Sequence, residues 1–149
     1  MSELAVLSAQ LHAYRDFEEC VVLDLRWRVW GTSLDVDLDF IWRDDGVVRP
    51  SSEDRRIVSI RFFGVSEVHM VNDLTDVMVD GRASLGWGVG EIACLRVADA
   101  PRLVRTRLSL PSYRASFRRE GYSWIEIAFT GWEFTESTQQ ARQSPLNLE

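Results

Sequence analysis

Residues 23–42 read LDLRWRVWGTSLDVDLDFIW, two runs in which apolar and charged residues alternate, meeting at Gly31-Thr32. Alternation with a period of two is what a half-buried strand requires, and a glycine-containing break between two such runs predicts an antiparallel hairpin. With Gly31-Thr32 as a two-residue turn, Trp30 faces Ser33. One register then sets Leu25 against Leu38, Trp27 against Val36 and Val29 against Leu34 on the apolar face. The opposite face carries Arg26 against Asp37 and Arg28 against Asp35. Because one register satisfies both the apolar and the charge pattern, the segment commits the chain to a β-rich class.

The rest of the chain is consistent with that class. Leu4, Leu7, Leu11 and Tyr14 recur at helical spacing, which predicts one amphipathic helix over residues 3–17 with Ser2 as its N-cap. From Cys20 the period changes to two and stays there. Residues 43–56, RDDGVVRPSSEDRR, read as a mobile polar loop. Residues 56–70 form a strand interrupted at Gly64, where a bulge or bend is expected. Short strands follow at Val77–Val79, Ile92–Val97 and Val104–Leu110. Tyr113–Phe117 and Ser123–Phe129 make a second hairpin around Gly121. About eight strands with regular turn signals predict an antiparallel β-sandwich or a strongly bent sheet, mainly β with one N-terminal helix. Residues 1–135 form one domain, and 136–149, almost without apolar residues, are expected to be a flexible polar tail.

Composition narrows the function classes. The net charge of -6 argues against nucleic acid, because phosphate binding needs a basic face. It suits a basic protein partner. All seventeen basic residues are arginine, the better partner for two-point contacts with carboxylates. No apolar run approaches the ~20 residues of a membrane-spanning helix. No basic leader with a long apolar stretch opens the sequence, so the expected location is cytoplasmic. Cys20 and Cys94 lie far apart outside any Cys-x-x-Cys motif and read as separate thiols.

Each motif that invites chemistry has a plainer structural reading. Asp35, Asp37 and Asp39 project from one strand about 7 Å apart, too spread for the converging oxygens of a calcium site. They read as a solvated charge ladder neutralised by Arg26 and Arg28. Asp39 is left facing Asp24, which raises the question of a bound cation there. Gly86, Gly88 and Gly90 lead into a strand, not a helix, so they lack the context of a nucleotide loop. His12 and His69 stand without the ligand spacing of a zinc site, and no nucleophile motif accompanies them. No metal or other cofactor is expected. Trp27 and Trp42 have the core phase of the first hairpin. Trp30 and Trp124 have the opposite phase, and tryptophan beside arginine is the chemistry of interface hot spots.

Leu11-His12-Ala13-Tyr14, the LDVDLDFIW strand (34–42), Ile-x-Phe-Phe-Gly-Val (60–65) and SWIEIAFTGWEF (123–134) occur in that order. In this succession the chain resembles the small β-rich immunity proteins of bacterial polymorphic toxin systems and related bacterial β-domains. The resemblance implies a protein that binds another protein, typically a secreted toxin, without a cofactor or catalysis. The leading expectation is a non-enzymatic protein-binding β-domain, an immunity-type inhibitor, using Arg26, Arg28, Trp30, Asp35, Asp37 and Asp39. Two alternatives stay open. One is a small-ligand-binding or hydrolytic β-domain with Asp24, Asp39, His69 or Trp87 near a cleft. The other is a self-associating module that pairs strand edges.

Overall fold

A computed structural model describes residues 2–71, 91–100, 112–119 and 121–140. Helix α1 (Glu3–Ala13) precedes strands β1 (Val21–Val29), β2 (Ser33–Phe40), β3 (Arg55–Phe63), β4 (Glu67–Met70), β5 (Cys94–Asp99), β6 (Tyr113–Arg119), β7 (Tyr122–Phe129) and β8 (Gly131–Gln139). They build two four-stranded antiparallel sheets, in the orders β1-β2-β3-β8 and β4-β7-β6-β5. The β-rich class with one N-terminal helix is therefore as the sequence predicts. The expected strands at Val77–Val79 and Val104–Leu110, the glycines at 86, 88 and 90, and Trp87 lie outside the described residues. Among the described residues no helix is long and apolar enough to cross a membrane.

The two sheets share a ribbon. β3 pairs with β8 in the first sheet and, beyond Gly64, the same strand continues as β4 against β7 in the second. Thr130 alone separates β7 from β8, so both strands of the ribbon change sheet at one level. The corner is held by Thr130 N donating to the Phe63 carbonyl (2.9 Å) and Ser66 N donating to the Ala128 carbonyl (2.9 Å). Gly64 takes a left-handed φ of +59° there, the break expected at this residue. Between the sheets, Phe62 packs against Phe129 (5.0 Å between ring centres), Trp132 (5.8 Å) and Phe117 (6.4 Å). Leu34, Val36 and Leu38 of β2 and Ile125 and Ile127 of β7 complete the buried centre.

Ser2 caps α1 through its hydroxyl, which accepts from Ala5 N at 3.2 Å. The helix stops at Ala13, short of the expected residue 17, because Arg15, Asp16 and Phe17 all take a left-handed φ near +54°. Such a turn costs roughly 1–2 kcal/mol per residue. Burial of Phe17 offsets that cost: its ring stacks on Tyr14 at 5.2 Å and meets Phe40 and Phe134 edge-on at 6.0 and 6.1 Å.

The first hairpin forms, but in a different register. Val29, not Trp30, faces Ser33, leaving a three-residue loop with Gly31 at φ +78°. Bulges at Leu23 and Arg28 shift the pairing further, so Leu25 faces Val36, Trp27 faces Leu34 and Arg26 faces Asp35. The polar stretch after β2 is not an open loop. A second small hairpin bridges Trp42 and Val48 around Gly46 (φ +81°), with Arg49 N donating to the Ile41 carbonyl. At the other end of the domain, β8 runs four residues past the expected boundary at Glu136, pairing through Gln139 opposite Arg55.

Candidate binding surface

The outer face of the first sheet holds the three aspartates of β2, with β1 on one side and β3 on the other. They do not form a solvated ladder. Asp35 and Asp39 are only 6% and 8% exposed. Arg61, directly opposite Asp35 on β3, grips it with Nε on Oδ1 (3.0 Å) and Nη2 on Oδ2 (3.4 Å), and reaches Glu133 on β8 at 3.4 Å. Asp37 accepts from Arg26 Nη1 (2.5 Å) and from the Ser59 hydroxyl (2.6 Å). Arg26 also lies 3.2 Å from Asp24 and 3.7 Å from Asp35. Its bond to Asp37, with Asp24 and Asp35 close by, holds its pKa above the usual arginine value.

Two expected pairings are corrected by this lattice. Arg28 sits in the bulge, exposed, and makes no ion pair with a described residue; Asp35 belongs to Arg61 and Arg26 instead. Asp24 faces Asp37, with Arg26 between them, and Asp39 faces Val21 and Ile57. The Asp24–Asp39 pair that raised the question of a cation does not occur. Asp39 pairs with Arg49 Nη2 at 3.0 Å and lies 3.8 Å from Arg55 Nε. Buried beside Asp39, the Cys20 thiol is pushed from its ordinary 9.0 up to about 12, chiefly by desolvation. The folded chain then keeps this proton while the unfolded chain releases it above pH 9. Stability from this group is complete below pH 9 and falls as pH rises toward 12. A thiol reagent at pH 8 is accordingly expected to label Cys20 only after denaturant is added, counted against a Cys20→Ser chain.

At the turn end of the same face the chemistry changes. Register aligns Val29, Ser33 and Phe63 in one row across β1, β2 and β3. Val29 is 55% exposed, Phe63 39%, and Trp30 in the adjoining loop 83%. Trp30 leans edge-on against Trp27 at 5.6 Å. Both Trp27 and Trp42 pack half-buried against the core, as their phase predicts. Trp124 does not reach the surface: it is 7% exposed, with the Arg119 guanidinium 5.3 Å over its ring. Thus Trp30 and Arg28 are presented, while Arg26, Asp35, Asp37 and Asp39 are engaged within the chain. Sequence reading missed Val29 and Phe63 because their row exists only once β3 is placed beside β2.

No protein-family model, curated protein or solved structure matches this chain.

The residues offered for ligand chemistry are dispersed. Asp24 and Asp39 are on the first sheet, and His69 is on β4 of the second, opposite Glu126. A cleft of about 580 Å³ lies beyond β2 among Phe40, Trp42, Arg43, Arg49 and Arg56, with Asp44, Asp45, Glu53 and Asp54. Its arginines have acidic partners within the chain: Arg43 pairs with Glu53, Arg49 with Asp39, and Arg56 with Glu136 at 2.5 Å. A smaller groove of about 280 Å³ between α1 and β5 contains His12, whose Nδ1 is 2.8 Å from Asp16 Oδ1. Among the described residues no three side chains able to bind a metal cluster together.

Proposed function

We propose that this chain is a non-enzymatic β-domain that binds another protein through the turn end of its first sheet. The observation that carries the reading is Trp30, 83% exposed in the loop next to the row that holds Val29 and Phe63, with Arg28, exposed and in no ion pair among the described residues, two positions before it. An exposed tryptophan together with arginine is the composition of binding hot spots, and exposed large apolar side chains gathered at one end of a sheet mark an interaction site. The sheet below is stiffened by the arginine–aspartate lattice, so the patch is presented on a rigid support, which lowers the ordering cost of association.

The immunity-type reading rests on the resemblance noted from the sequence. A basic toxin domain suits the net charge of -6. The alternative of a small-ligand site has the 580 Å³ cleft in its favour, but there the arginines already have acidic partners.

Trp30→Ala is expected to leave the melting transition nearly unchanged, within about 0.5 kcal/mol, since the ring is on the surface. The same change should weaken partner binding by roughly 30-fold or more. The test is titration of the neighbouring gene's product against native chain and Trp30→Ala, together with toxicity rescue in co-expression. Equal binding by both chains would remove the patch from the interface; an absence of binding and of rescue by the native chain would remove the immunity reading.

A further inference from the structure

Sheet edges attract further strands unless something blocks them. Three of the four edges in this fold carry such a block among the described residues. β1 is bulged at Leu23 and Arg28 and is bridged at Val21 to Glu91. β4 is only four residues long. α1 lies along β5, with Leu11 and Leu95 lining the groove between them. β8 is different: nine residues hold one unbroken register against β3, with no bulge, proline or lysine. Its two glutamates do not guard the free edge, because Glu133 is drawn to Arg61 and Glu136 to Arg56, both on β3. Residues 135–139 are exposed on both faces.

We propose that β8 pairs antiparallel with β8 of a second copy of this chain, joining two first sheets into one of eight strands. A two-fold axis perpendicular to the sheet requires facing residues to share a face, so it must pass through a residue and not between two. Passing it through Thr135 pairs all nine residues of β8: Glu133 faces Ser137, Phe134 faces Glu136, and Thr135 faces its own copy. No glutamate then faces a glutamate, whereas an axis through Glu133 or Glu136 sets like charges in contact. Facing threonines are a favourable cross-strand pair. This contact is independent of Trp30, which lies on the far strand pair of the same sheet.

Light scattering of the full chain up to roughly 100 µM is expected to give the mass of two copies. Thr135→Lys sets two ammonium groups across the axis and is expected to weaken the dimer about ten-fold or more, with the far-UV spectrum unchanged. Under mild oxidation Thr135→Cys should form a cross-linked dimer. Ser137→Cys should not, since its copies stand about 13 Å apart along the strands. Cys20 and Cys94 are the same background in both variants. A native chain that stays monomeric would overturn the proposal, as would a Thr135→Lys chain that dimerises normally or equal cross-linking at 135 and 137. A monomeric full chain that dimerises only when ended at Gln140 would assign the edge to the chain's own C-terminal segment, and would overturn it too. Trp30→Ala is expected to dimerise like the native chain, so this test and that of partner binding fail separately.

Discussion

Replacing Gly64 with alanine is expected to destabilise the domain by roughly 3 kcal/mol, combining a left-handed φ on an L-residue with an overpacked contact. A Cβ built on Gly64 would lie 2.9 Å from Thr130 Cγ2 and closer still to Thr130 Oγ1. Rotating the threonine does not relieve this, because its Cβ is itself only 3.1 Å away. Movement of Thr130 would also disturb the hydrogen bonds that Thr130 N and Oγ1 donate to the Phe63 carbonyl at 2.9 and 3.2 Å. Urea unfolding checks the size of the effect. Thr130→Ala in the same chain removes the Oγ1 and Cγ2 contacts but keeps the 3.1 Å approach of Cβ, so it should recover part of the loss and leave at least the roughly 1–2 kcal/mol due to the backbone. If the double variant is as unstable as Gly64→Ala alone, the contact with Thr130 is not what excludes a side chain.

Asp39→Ala is the other substitution with a large expected cost, roughly 3–5 kcal/mol, because it strands a cation out of water. Asp39 and Arg49 each have a side chain only 11% exposed, and Arg49 Nε is buried without a hydrogen-bond partner even with Asp39 in place. Taking away the carboxylate leaves the guanidinium with the Phe40 carbonyl, at 3.4 Å, and little else beneath it. Asp39→Leu combined with Arg49→Met should recover much of the loss, since two apolar groups of similar volume need no compensation. Denaturation midpoints of the two single variants and the double variant give the coupling directly. Additive losses would show that the pair acts as two separate surface charges.

The alternation in residues 23–42 was enough to place the first hairpin, since period-two patterning survives any register. The register itself was not legible, because Gly31 fits a two-residue and a three-residue turn equally well, and the bulges at Leu23 and Arg28 leave no local mark. Gly64 marked the corner as a break in a strand. That the break joins two sheets depends on Thr130, 66 positions later, which no local pattern links to it. The small hairpin around Gly46 did have a signal: Asp45-Gly46 sits between Ile41-Trp42 and Val47-Val48, and the surrounding charges obscured it. Burial of the aspartates followed from a neighbour, β3, that brings Ser59 and Arg61 alongside. Trp124 was misplaced for a similar reason. An outward phase on β7 says nothing of an arginine at position 119 that lies over the ring.

The shared ribbon has a consequence for how the domain comes apart. In a sandwich of two separate sheets, one layer can open while the other persists as a partly folded unit. Here β3-β4 and β7-β8 are each one length of chain serving both layers, so stripping either sheet pulls the other's strands out of register. The two layers therefore lose their order together, in a single cooperative step. Assembly carries the matching cost: residues 63 and 130 must meet before either sheet is complete, and closing so long a loop makes that meeting a late and slow event in folding.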